Sequence, residues 1–280
     1  MTALPEVVET IPASALVVDL RNFTSHLNAF AGVERNWDGF CHFLRNFYAL
    51  CLDAAVVALP PCDRAMPPIY LSSGGDGMLM VFTHRERHAI DAFLTAIVLH
   101  ARLCGACDRR NASLHDPGLP ATGFGIGLES GIVTRLRAKA RNEVGHPLVD
   151  TYIGGCINVA ARVQDVTKSL HRARTLIAAE ANDHLCRQVM NSGYGELMAQ
   201  ADEADDKHRM VLHDRMTELN RSLCLQFIHV HRLRGVPHPL PLFRLSESSI
   251  QVANPRFEAL IQRLTRGDRG HHDEILEAVR

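Results

Sequence analysis

Two aspartates stand where apolar segments give way to turns. Asp19 closes the run Ala15-Leu16-Val17-Val18 and is followed by the polar turn Leu20-Arg21-Asn22, then Phe23-Thr24. Asp76 lies in the glycine-rich centre of IYLSSGGDGMLMVF, residues 69–82. Both are expected at strand ends; if the strands are neighbours, both carboxylates meet at one sheet edge. Two carboxylates plus a nearby backbone carbonyl can hold a pair of hard divalent cations, which clamp phosphates. The turn Leu20–Thr24, followed by a helix, can aim backbone N–H groups at an anion. Further along, Asn158 and Arg162 are four apart in YIGGCINVAARV and share a helical face, a neutral donor beside a fixed cationic fork. This set of groups suits phosphoryl or nucleotidyl transfer from a nucleoside triphosphate.

Each signal is weak by itself. A Gly-Gly-Asp-Gly run ordinarily serves a turn, where both residue types tolerate unusual backbone angles. GFGIG, residues 123–127, resembles a dinucleotide loop, but its glycines lie inside a strand pattern. The order of the segments along the chain carries the specificity.

The elements that must position these groups follow from hydrophobic periodicity. After the opening strand, a long helical pattern runs from about Ser25 to Leu59, with Phe40, Phe43, Leu44 and Phe47 at helical spacing. A hairpin is centred on Gly74–Gly77, and a helix runs from Arg85 to about Cys107. RRNASLHDPGLPATG reads as a loop and GFGIGLESGIVTRLRA as a second strand pair. VDTYIGGCINVAARVQDVTKS passes from a short strand through glycines into a helix. TLIAAE is a strand, AEANDHLCRQVM a helix, and LQFIHVHRLRG and PLPLFRLSE close the pattern as strands. RFEALIQRLTRG forms a short terminal helix. Strands and helices alternate without strict βα repeats, which predicts an α+β fold with helices packed on one face of a mostly antiparallel sheet.

Composition narrows the function classes. The 280 residues are 46% hydrophobic, enough to bury a sizeable core in one large domain or one domain with appendages. Lys+Arg number 30 against Asp+Glu 31, so there is no electrostatic footprint for nucleic acid. No basic-then-apolar leader opens the chain and no uncharged apolar run of about 18 residues appears, so no membrane partner and a cytoplasmic location are expected. The 8 cysteines then read as reduced thiols. Cys104 and Cys107 form a CxxC without the second pair a zinc site needs, and are expected as small residues on or just past a helix. The 16 histidines show no HExxH or similar spacing.

Taken together, Asp19-Leu20-x-x-Phe23-Thr24, Gly75-Asp76-Gly77 and Gly154-x-x-Ile157-Asn158-x-Ala160-x-Arg162 resemble the motifs of class III nucleotidyl cyclase catalytic domains. Leu233-Arg234-Gly235 followed by Pro-Leu-Phe-Arg-Leu resembles that family's closing strands. The resemblance covers roughly residues 12–246, with an acidic insertion at about 195–222; residues 247–280 would be a C-terminal helix and charged tail. It implies a ferredoxin-like core that forms a head-to-tail homodimer, with Asp19 and Asp76 from one protomer facing Asn158 and Arg162 from the other. By that resemblance Asp19, Asp76 and the Leu20 carbonyl hold two Mn²⁺ or Mg²⁺ ions. The loop through Asn22, Phe23 and Thr24 cradles the triphosphate, Arg234 takes the terminal phosphates, Asn158 orients the ribose, and Arg162 meets charge building on the α-phosphate.

Base-reading positions depart from the family. Its adenylyl cyclases carry lysine three residues before the glycine of the Gly-Asp pair, and Asp or Thr seven before the Asn; its guanylyl cyclases typically carry Glu and Cys. Here the positions hold Ser72 and Thr151. Stand-alone cyclases of bacterial Pycsar antiphage systems, which make cyclic UMP or cyclic CMP, are similar in organisation. A pyrimidine cyclase favouring UTP is therefore expected, with Tyr48 a candidate to fill space beside the smaller base and a separate effector to sense the product. The alternatives are an adenylyl cyclase with an altered base pocket and a degenerate domain that only binds nucleotide.

Overall fold

The computed structural model describes residues 6–30, 34–59, 69–114, 118–139, 148–170, 174–190, 220–245 and 255–266, with single positions between and beyond them. The centre is β1 (Glu6–Arg21), where apolar residues occupy both faces. Leu16, Val18 and Leu20 enter the main core. Ala13 and Ala15 alternate with them and enter a second cluster on the opposite face. A strand buried on both sides needs partners on both edges. β1 pairs antiparallel with β3 (Gly77–Phe82) on one side and with β4 (Gly123–Lys139) on the other. β2 (Ile69–Gly74) closes the edge beyond β3.

The remaining strands are β5 (Leu148–Ile153), β6 (Thr175–Ala178), β7 (Leu225–His231) and β8 (Leu240–Leu245). Among the described residues the sheet is 8-stranded in the order β2-β3-β1-β4-β6-β8-β7, with β5 also on β4. All pairings are antiparallel except β4 with β6. The expected mixed α+β, mostly antiparallel architecture is what forms.

Helices α2 (Glu34–Ala58), α3 (His88–Ala112) and α5 (Ala179–Met190) cover the Leu16 face, preceded by the short α1 (Phe23–Phe30). A last helix, α6 (Pro255–Arg266), buries Leu260, Ile261 and Leu264 in the same core. By length and composition two helices among the described residues could cross a membrane, Trp37–Ala58 and His88–Ala112. The apolar window of the second is 72% buried inside the fold, the place of a central core helix.

Three details differ from the sequence expectations. Helix α4 (Gly155–Val166) packs on the opposite face from the others, against Ala13, Ala15 and Val133. Apolar runs do not reveal that both faces of β1 and β4 are buried. GFGIGLESGIVTRLRA is one continuous strand, because β1 is long enough to pair it from Arg21↔Gly123 to Glu6↔Arg137. Its glycines serve packing: a Cβ on Gly127 would lie 2.1 Å from the Ala160 carbonyl, and one on Gly125 2.2 Å from the Thr167 hydroxyl. Finally, α3 continues through Arg109-Arg110-Asn111-Ala112, so the loop starts later than its polarity indicates. Cys104 and Cys107 both lie on α3, and the cysteines of the described residues are free thiols. Most of the acidic stretch at 195–222 and all of the charged tail beyond residue 268 lie outside the described residues.

Candidate active site

Strand β1 delivers Asp19 opposite Gly77, the first residue of β3. The hairpin turn Gly75-Asp76 therefore sits against the end of β1. Gly75 takes φ +61, a left-handed conformation glycine adopts without a Cβ penalty. The Leu20 amide donates to the Asp76 carbonyl at 2.9 Å, tying the turn to the strand end. A second tie comes from α2, where the Tyr48 hydroxyl donates to the Gly75 carbonyl. The two carboxylates are thus anchored at one sheet edge by three separate elements.

Asp19 feels the neighbouring carboxylate. Burial pushes the Asp19 carboxyl above the usual range, and the Asp76 charge pushes it further in the same direction. Such a pair calls for a cation. Two carboxylates together with the backbone carbonyl of Leu20 form a hard-oxygen donor set of the kind Mg²⁺ or Mn²⁺ takes. Among the described residues no cluster of three or more His, Cys, Asp or Glu side chains offers an alternative metal cage.

Immediately after Leu20 the chain turns. Asn22 has φ 63, and its side-chain amide donates to the Ala121 carbonyl at 2.8 Å. This left-handed residue lets α1 begin at Phe23, so that the first N–H groups of the helix, including those of Phe23 and Thr24, follow Asp19 closely in the chain. Phe23 packs on Phe40 with ring centroids 5.4 Å apart, which fixes the helix start on α2.

The end of α4 joins this edge, which sequence reasoning did not foresee. Arg21 donates to the Thr167 carbonyl at 2.6 Å. The Lys168 ammonium lies 3.4 Å from Asp19 and 2.9 Å from Asp165. No spacing rule pairs residue 19 with residue 168; only the packing of α4 on Gly125 and Gly127 brings them together.

Asn158 and Arg162 share the exposed face of α4 as their spacing requires. Arg162 makes an ion pair with Asp165 at 3.7 Å. Neither contacts Asp19 or Asp76 of the same chain. Arg234 is exposed in the β7–β8 turn, beside Gly235 at φ +77. Ser72 lies on the edge strand β2, in register with Leu79. Thr151 lies on β5, in register with Leu136, and its hydroxyl accepts a hydrogen bond from Tyr70 at 3.4 Å. Tyr70 also packs edge-on against Tyr152 at 5.4 Å. Strand alternation puts Tyr70 and Ser72 on one face of β2.

The fold recurs in solved structures. The chain is similar to the adenylyl cyclase CyaB from P. aeruginosa, with TM-score 0.55 and 13% identity over 85% of this chain and 95% of that one. It is similar to the guanylyl cyclase Cya2, with TM-score 0.54 and 15% identity over 86% of this chain and 94% of that one. A bacterial light-regulated adenylyl cyclase gives TM-score 0.52 and 14% identity over 94% of this chain and 60% of that one. No family model and no curated protein matches the sequence. The fold is that of adenylyl and guanylyl cyclase catalytic domains.

Proposed function

We propose that the chain is a nucleotidyl cyclase that converts a nucleoside triphosphate to a 3′,5′-cyclic nucleotide and pyrophosphate. One observation carries the reading: Asp19, Asp76 and the start of α1 converge at one sheet edge, locked by the Leu20–Asp76 hydrogen bond. The cyclase names of the similar structures support it.

Asp19, Asp76 and the Leu20 carbonyl would hold divalent ions, which supply a lowered pKa for the ribose 3′-hydroxyl and charge neutralisation for the triphosphate. The chain's own groups do the rest. The N–H groups of Asn22, Phe23 and Thr24 face the phosphates at a helix start. Arg234, in an exposed turn, reaches the terminal phosphates. Asn158 holds the ribose and Arg162 meets charge on the α-phosphate. Because Asn158 and Arg162 face outward from their own protomer, a head-to-tail homodimer completes the site.

The base is read by short hydroxyls. Ser72 and Thr151 can donate or accept, and neither offers the charged donor that a lysine would. Tyr48 spends its hydroxyl on Gly75, which leaves its half-buried ring as the surface available to a base. We read this as a pyrimidine site, with UTP ahead of CTP, and the cyclic product as a messenger for a separate effector, as in antiphage signalling. The test is to incubate the purified protein with each of the four triphosphates and Mn²⁺ and identify the cyclic product by mass. Cyclic UMP or cyclic CMP supports the reading. A clean preference for ATP leaves the cyclase and replaces the base assignment.

A further inference from the structure

Lys168 sits two residues beyond the end of α4 in a tightly held turn. Its amide donates to the Asp165 carbonyl at 3.0 Å, and the next amide, of Ser169, donates to the Val166 carbonyl at 3.0 Å. The Thr167 hydroxyl closes on the Gln164 carbonyl at 2.6 Å, while Arg21 takes the Thr167 carbonyl at 2.6 Å. The backbone of Lys168 is therefore fixed to the end of β1. Its side chain is half exposed and can move, and it has two carboxylates within reach, Asp19 at 3.4 Å and Asp165 at 2.9 Å.

An ammonium and a divalent ion cannot share the same carboxylate oxygens without strong repulsion. We propose that Lys168 is a built-in competitor for the divalent ion at Asp19. This rests on the assignment of Asp19 and Asp76 as the metal carboxylates. With no metal bound, the ammonium compensates the Asp19 charge, which the nearby Asp76 charge would otherwise leave unbalanced. When metal arrives, Lys168 gives up Asp19 and keeps Asp165. Asp165 also pairs with Arg162 at 3.7 Å, so the displaced ammonium and the Arg162 guanidinium share one carboxylate. Lys168 acts through Asp19 and is a positioning residue; it sets the metal concentration at which the site fills.

The experiment is Mn²⁺ binding to the full chain without nucleotide, read as free Mn²⁺ by electron paramagnetic resonance. Lys168→Met keeps the apolar stem and removes the charge. It is expected to bind Mn²⁺ about five-fold more tightly or better, the Coulomb effect of two unit charges about 4 Å apart in water. Lys168→Arg keeps a cation and is expected to stay near the wild-type value. A merely structural role for Lys168 would weaken binding or leave it unchanged, and either result in Lys168→Met overturns the proposal. Asp76→Asn separates the two levels of the reading. If it loses Mn²⁺ while Lys168→Met is unchanged, only the Lys168 inference fails. If it binds Mn²⁺ as the wild type does, the carboxylate assignment fails and the inference goes with it.

Discussion

The Leu20 amide donates to the Asp76 carbonyl at 2.9 Å, across 56 positions of sequence. Leu20 follows one carboxylate and Asp76 carries the other. With the pairing of Asp19 to Gly77, this backbone bond fixes the end of one strand on the turn that carries the other acidic group.

The first prediction concerns those groups. Asp19→Asn and Asp76→Asn are expected to lower turnover by about 10³-fold or more, since bound metal supplies several kcal/mol of transition-state stabilisation. Stability should move the other way for Asp19. Its pKa is raised in the folded state, mainly by burial and then by Asp76, so its ionised form disfavours folding once pH rises through the folded value. Asp19→Asn should therefore melt at or above the wild-type temperature at neutral pH without metal. A variant that loses activity and melts well below wild type would contradict this.

Tyr48 has an observed hydrogen bond and a proposed base contact, which two substitutions can separate. Tyr48→Phe removes the hydrogen bond to Gly75, worth about 1 kcal/mol, and should slow all substrates by a similar, roughly five-fold factor. Tyr48→Ala also removes the ring and should erode the proposed preference for pyrimidines. Steady-state rates with UTP, CTP and ATP distinguish the cases. Equal substrate ratios in both variants would remove the ring from the base site.

Helix α4 is expected to depend on the bare backbone of β4. A Cβ at position 127 would lie 2.1 Å from the Ala160 carbonyl, and backbone cannot yield as a flexible side chain can. Gly127→Ala should cost about 1–3 kcal/mol or more, the range for overpacking, and should displace Asn158 and Arg162. Urea unfolding reads the first effect and turnover the second. Gly75→Ala, in open space but at φ +61, should be the milder change.

Glu129 gives a pH signature unrelated to catalysis. Its carboxylate accepts the amides of Ser130 at 2.7 Å and Ala181 at 2.8 Å, capping α5 from inside the core, and burial lifts its pKa to about 8. A raised carboxyl pKa stabilises the fold at low pH, and that stability is lost as pH rises from about 4.5 through about 8. Melting temperature should fall over that window. Glu129→Gln cannot ionise and should flatten the curve there; an unchanged slope would mean that another group titrates.

How much of this was legible beforehand follows the kind of signal each feature leaves. Asp19 and Asp76 were readable because they interrupt apolar strands at turns. Asn158 and Arg162 were readable because helical spacing survives in the sequence. The face on which α4 packs was not, since alternation looks alike when both faces of β1 are buried. The contact of Lys168 with Asp19 was not legible either, because it depends on how closely α4 approaches Gly125 and Gly127. Glycines within a strand look like a turn until the helix above them is known. Tyr48 was singled out for its ring, whereas its hydroxyl bond to Gly75 needed three dimensions.

The most direct measurement puts all four nucleoside triphosphates in one tube with Mn²⁺, adds wild-type protein or Asp76→Asn, and follows cyclic products by mass and pyrophosphate by release. The wild type should give a cyclic nucleotide, cyclic UMP or cyclic CMP above the purine products, with pyrophosphate in equal amount, and Asp76→Asn should give neither. No cyclic nucleotide from any triphosphate, or the same product from Asp76→Asn, would contradict the assignment of Asp19 and Asp76 as the metal-binding heart of a cyclase.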